Sequence, residues 1–86
     1  MNEYAITFAR SARKELEALD TATIRRIFPK IEALANDPRP RGCLKLQGED
    51  HLWRIRVGYY RIIYAIDAEK QIIDIIAVRH RRDAYR

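Results

Sequence analysis

The sequence predicts an α+β fold: an N-terminal strand, a helical hairpin, and then a three-stranded antiparallel meander, with both helices packed on one face of the sheet. Three observations carry this expectation. Apolar residues alternate with period two over residues 3–8, recur at helical spacing over residues 9–35, and return to period two after residue 51. Two turn-forming groups, Gly58-Tyr59 and Asp67-Ala68-Glu69-Lys70, punctuate the later alternating region. Finally, 86 residues, 48% of them hydrophobic with only three Gly and three Pro, suffice for one core and not two. Residues 1–86 therefore read as one domain without repeat or linker.

Tyr4, Ile6 and Phe8 mark a short first strand. Beyond Ala9, Ala12, Leu16 and Leu19 fall on one side of a helix, and Arg13, Lys14, Glu15 and Glu17 cover the remainder. Asp20 and Thr21 punctuate its end, and either residue can cap a second helix. Its apolar stripe is Ile24, Ile27, Phe28, Ile31, Leu34 and Ala35. Pro29 lies inside that stripe and predicts a kink or break near Phe28, because an interior proline costs a hydrogen bond and about 3 kcal/mol. Asn36-Asp37-Pro38 closes the helix. A basic loop follows, with a short strand expected over residues 44–46, and the last strand is expected over residues 72–78.

The segment WRIRVGYYRIIY, residues 53–64, is the most informative part of the chain. Trp53, Ile55 and Val57 share one strand face, and Arg54 and Arg56 the other. With Gly58-Tyr59 as a two-residue type II′ turn, Val57 pairs with Tyr60, Ile55 with Ile62 and Trp53 with Tyr64. The same register sets Arg56 opposite Arg61 and Arg54 opposite Ile63. Like charges facing each other across strands are unfavourable, and a polyanion would relieve the repulsion. An ordinary solvated face with nearby carboxylates is the alternative reading.

Seventeen Lys and Arg against twelve Asp and Glu give a formal charge of +5 and an isoelectric point near 9.7. That points to an acidic partner, with nucleic acid first. Arg39, Arg41, Lys45, Arg54, Arg56 and Arg61 face only Glu49 and Asp50 across the middle of the chain, and Arg79, Arg81, Arg82 and Arg86 follow. The longest apolar run, residues 62–66, is too short to span a bilayer, and the N-terminus lacks a secretion pattern, so a cytoplasmic protein without membrane contact is expected. Cys43, the single cysteine, has no disulfide partner and no metal-ligand set around it, and reads as a loop or core-edge residue.

LANDP at the end of the helical hairpin, KLQG followed by WRIRVGYYRIIY, and the terminal VRHRRDAY together resemble the RelE/ParE superfamily of toxins from type II toxin–antitoxin pairs, along essentially the whole chain. In the RelE branch the resemblance implies a ribosome-dependent mRNA endonuclease that cuts in the decoding site, with no metal or other cofactor. Arg54 and Arg56 match the basic pair of the family's active strand, Arg61 the arginine of the next strand, and Arg81 and Tyr85 the C-terminal pair. Guanidinium groups grip phosphate oxygens bidentately and stay protonated, so Arg56, Arg61 and Arg81 are expected to clamp the phosphate.

This chain carries arginine where some relatives carry lysine on the active strand, and arginine is a poor general base. Proton transfer then falls to Tyr85, to His80 or to solvent. Lys45, Arg39, Arg41, Arg79 and Arg82 are further candidates for contact with RNA or the ribosome, and Tyr59 at the turn tip for stacking on a base. His51, without partners, reads as a surface residue. The resemblance also implies a cognate antitoxin, the ribosome with mRNA, and operator DNA reached only through the antitoxin complex. Its ParE branch implies a DNA gyrase inhibitor instead, and a non-catalytic antitoxin-binding co-repressor is a third reading.

Overall fold

The computed structural model describes residues 3–48 and 51–81. Seven elements follow in order: β1 (Ala5–Phe8), α1 (Arg10–Glu17), α2 (Thr21–Ala33), β2 (Leu44–Lys45), β3 (Leu52–Val57), β4 (Tyr60–Asp67) and β5 (Ile72–His80). They form the expected α+β arrangement, with the meander enlarged to a five-stranded sheet of order β1-β5-β4-β3-β2. β1 lies parallel to β5, and every other pair is antiparallel.

The core forms between the helices and one sheet face. Ala12, Ile27, Ile31 and Leu34 from the helical half pack with Ile55, Ile62, Tyr64, Ile73, Ile75 and Val78 from the sheet. Ile6 and Phe8 of β1 lie against the same cluster, as their alternation requires. Between α1 and α2 the capping question resolves to Asp20, whose Oδ1 accepts from the Thr23 amide at 2.9 Å. Its bonds from Thr23 hold the Asp20 carboxyl below the usual range.

Two expectations are corrected. The break allowed for near Phe28 does not occur, since α2 runs through Pro29 as one helix from Thr21 to Ala33. Arg25, whose carbonyl loses its usual donor, and Pro29 itself are both exposed, so water can serve that carbonyl. β5 extends two residues past the expected end at Val78, through His80, so Arg79 and His80 belong to the sheet.

α1 does more than cover the core. β1 ends at Phe8, paired with Ile75, which among the described residues leaves the second half of β5 without a neighbouring strand on that side. The Ser11 hydroxyl donates to the Ile76 carbonyl at 2.9 Å, and Glu15 Oε1 accepts from the Val78 amide at 2.8 Å. Side chains of α1 therefore occupy the edge groups that a strand would otherwise take.

A second tie joins the loop after α2 to the centre of the sheet. Tyr64 is fully buried, and its hydroxyl donates to the Pro38 carbonyl at 2.7 Å. Burial, followed by the influence of Cys43 and Asp37, pushes the Tyr64 hydroxyl well above the ordinary tyrosine range. Cys43 itself is half-buried against the core, as a core-edge residue. Among the described residues no helix is long and apolar enough to cross a membrane.

Two outcomes test these ties. Tyr64→Phe leaves the Pro38 carbonyl without its donor and should cost about 1–3 kcal/mol near pH 7, read as a lower urea midpoint at unchanged slope. Because folding raises the Tyr64 pKa, its contribution is complete below the unfolded value of about 10 and is lost as pH rises beyond it, so the wild type should lose more stability than Tyr64→Phe between pH 9 and 11. Equal losses would contradict the assignment. Glu15→Ala should destabilise by about 1–3 kcal/mol and Glu15→Gln by less, since the amide oxygen still accepts from Val78. Indistinguishable variants would show that the edge bond is unimportant.

Candidate functional site: the arginine face and the β3–β4 turn

Gly58 has φ +60°, and Tyr59 is not among the described residues with positive φ, which is the backbone pattern of a type II′ hairpin. The register is the one read from the sequence: Val57 with Tyr60, Arg56 with Arg61, Ile55 with Ile62, Arg54 with Ile63 and Trp53 with Tyr64. β4 then pairs with β5 so that Arg61 stands opposite Arg79. Arg56, Arg61 and Arg79 thus form one row across three strands, on the face away from the helices, with Arg54 one pleat further along β3.

The end of β5 is fixed to the turn. The Arg81 amide donates to the Tyr59 carbonyl, extending the β4–β5 ladder past His80. This bond brings Arg81 beside Arg56 and Arg61, and the three line one concavity of about 100 Å³ together with Gly58 and Tyr59. Arg56 and Arg81 are exposed there, whereas Arg61 and Arg54 are half-buried. Fixed, permanently charged donors converging on a small hollow suit a phosphodiester and the extra charge it gains in a pentacoordinate state.

The other sequence candidates are placed differently. Arg79 shares the row, but its Nε lies 3.4 Å from Glu15 Oε2, so α1 supplies a counter-charge. Arg39 leaves the arginine face altogether: its guanidinium lies over the Trp53 ring, 5.3 Å from the centroid, on the core side of the sheet. Lys45 pairs with Trp53, which puts it on that core side as well, and Leu44 takes the position beside Arg54. Arg41 is exposed in the loop before β2. His80 pairs with Tyr60 on the helix side and packs edge-on against its ring at 5.2 Å, with the Tyr59 ring 6.1 Å away. That geometry makes it a brace for the two tyrosines, on the opposite face from Arg61. Tyr85 and Arg82 lie outside the described residues.

One residue near the turn escaped the sequence reading. Arg26, on α2, sets its guanidinium against Gly58, and Nη2 is 3.0 Å from where a Cβ at position 58 would stand. Helical periodicity identified the apolar stripe of α2, to which Arg26 does not belong, so no signal marked it. A wider, open groove of about 700 Å³ lies at the far end of the sheet, where His51, Asp67, Glu69, Lys70 and Asp74 line it. Its charges are of mixed sign, and Asp67 and Asp74 already accept bonds from Lys70 and Thr7. It lacks the convergence seen at the turn. No group of three or more potential metal ligands occurs among the described residues.

Comparison with known proteins agrees with this architecture. The family model described as the ParE toxin of type II toxin–antitoxin systems, parDE, matches residues 6–85. A protein of Escherichia coli described as RelE-like toxin is 30% identical over 86 residues, covering 95% of this chain and 90% of its own. The RelE–RelB complex of Pyrococcus horikoshii contains a chain that superposes with a TM-score of 0.80 at 30% identity, over 94% of this chain and 97% of that one. The RelBE2 toxin–antitoxin complex of Mycobacterium tuberculosis gives a TM-score of 0.80 at 28% identity, over 91% and 98%. With a family model spanning nearly its full length and this shared fold, the chain belongs to the ParE toxin family of type II toxin–antitoxin systems, within the RelE/ParE superfamily.

Proposed function

We propose that this toxin is a metal-free, ribosome-dependent mRNA endonuclease acting in the decoding site and neutralised by a cognate antitoxin. The observation that carries the reading is the convergence of Arg56, Arg61 and Arg81 on one hollow at the β3–β4 turn. In the reaction, the 2′-hydroxyl loses its proton and attacks the adjacent phosphorus. A pentacoordinate dianion forms, and the 5′-oxygen leaves with a proton, giving a 2′,3′-cyclic phosphate and a 5′-hydroxyl. The three guanidinium groups hold the non-bridging oxygens and offset the added charge, and Arg54 strengthens the field from one pleat away. Tyr85 is the side chain proposed to move a proton. Arg41 and Arg82 are proposed to meet RNA or ribosome, and Arg79 does so only in competition with Glu15.

Several of the neighbouring structures are complexes of RelE with RelB, which supports an antitoxin partner here. An acidic, partly disordered antitoxin would suit the charge of +5, and operator DNA would be reached through that complex. The ParE description of the matching family model favours a second reading, inhibition of DNA gyrase, in which the arginine hollow has no phosphate to cut.

The reading is tested with purified toxin and programmed ribosomes in a single-turnover assay that maps the 5′ ends of the message. Cutting within the decoding site should slow by about a hundredfold or more in each of Arg56→Ala, Arg61→Ala and Arg81→Ala, with each variant still folded and melting cooperatively. An intact message together with gyrase trapped on cleaved DNA would replace this reading by the second.

A further inference from the structure

The Gly58–Tyr59 turn has a hollow on each side. One is the arginine hollow. The other, about 130 Å³, lies on the helix side and is lined by Thr23, Arg26, Ile27, Val57 and Tyr60, and it shares Gly58 and Tyr59 with the first. Only the width of the hairpin tip separates them. Among the described residues no carboxylate lines either hollow, and Arg26, which is exposed, makes no ion pair with any of them.

Two details fit an arrangement for a ligand that passes over the tip. Gly58 is required by its positive φ, and the Arg26 guanidinium lies against the side of it where a side chain would stand, so the turn and the cation lie in close contact. Tyr59 stands 66% exposed on the crest between the hollows, with its ring near His80, which in turn abuts Tyr60. An exposed aromatic with a supported ring and a cation on either side is the chemistry that holds a single nucleic-acid strand: a base stacks, and the flanking phosphates meet charge.

We propose that Arg26 forms a second phosphate subsite, holding the phosphodiester next to the scissile one while the base between them stacks on Tyr59. The subsite rests on the reading of the arginine hollow as the place where RNA is cut. It would fix the path of the message around the end of the sheet and so the position of the cut.

The test is single-turnover cleavage on programmed ribosomes with synthetic messages carrying a neutral methylphosphonate at the linkage on one side or the other of the cut. Arg26→Gln should slow cutting about tenfold or more, as loss of a charge-assisted hydrogen bond does. One of the two methylphosphonates should slow the wild type by a similar factor, and the variant and that message combined should be no slower than either change alone. Tyr59→Ala should also slow cutting, by about fivefold or more. Multiplying effects, or Arg26→Gln cutting at the wild-type rate, would overturn the subsite and leave Arg26 to protein docking. If Arg26→Gln does not fold, Arg26→Lys takes its place: with the cation kept, the methylphosphonate penalty should persist, and its disappearance would overturn the subsite. Wild-type toxin that leaves the unmodified message intact would sink the endonuclease reading and the subsite with it, an outcome distinct from all the others.

Discussion

The register of the β3–β4 hairpin is the constraint on which the rest depends. It is chosen by apolar pairs, since burying side chains such as Ile55, Ile62 and Tyr64 is worth about 1.5–3 kcal/mol each. Cross-strand like charges cost only about 0.2–1 kcal/mol. Pairing for the core therefore wins, and Arg56 is carried against Arg61 as a consequence. A slip of one residue would move the arginines to the core face and the isoleucines to solvent, so the charged row is as firmly specified as the core beneath it.

The surrounding elements hold this hairpin end in place. α1 occupies the free edge of β5 through Ser11 and Glu15, and Glu15 also faces Arg79, so the arginine row meets a counter-charge on the β5 side. The bond from the Arg81 amide to the Tyr59 carbonyl closes the other side and adds a third cation to the hollow. Tyr64 ties the loop after α2 to the sheet from beneath, with Arg39 stacked on Trp53 beside it. Charge in the loop thus contributes to packing, while charge on β3, β4 and the end of β5 faces outward.

What could be read from the residues followed from local rules. Alternation and one glycine determine the pairing of residues 52–67, so the grouping of Arg54, Arg56 and Arg61 is legible in the residues alone. The partner of β1 was not, because alternation tells which side of a strand is buried and nothing about its neighbour. The break expected at Pro29 does not occur because Ile27, Ile31 and Leu34 pack into the core on both sides of it and hold the helix, while the orphaned Arg25 carbonyl lies on an exposed face. Lys45 and Arg39 were assigned to the cationic surface by composition alone. Their sides depend on a β2–β3 register and a loop path that no periodicity encodes. His80 was placed beyond the last strand because the length of β5 was underestimated, and as a strand residue it alternates to the tyrosine side. Arg26 shows the opposite limit: a helical cation gains its meaning only from the turn that it meets across the fold.

The central claim is that the fold holds the Arg56 and Arg61 charges against each other. A double-mutant cycle of Arg56→Gln, Arg61→Gln and the pair, measured by urea unfolding at low and high salt, tests it without assuming any substrate. The account expects an unfavourable coupling between the two arginines at low salt that shrinks as salt rises. A coupling that is favourable, or absent at every salt concentration, would contradict it.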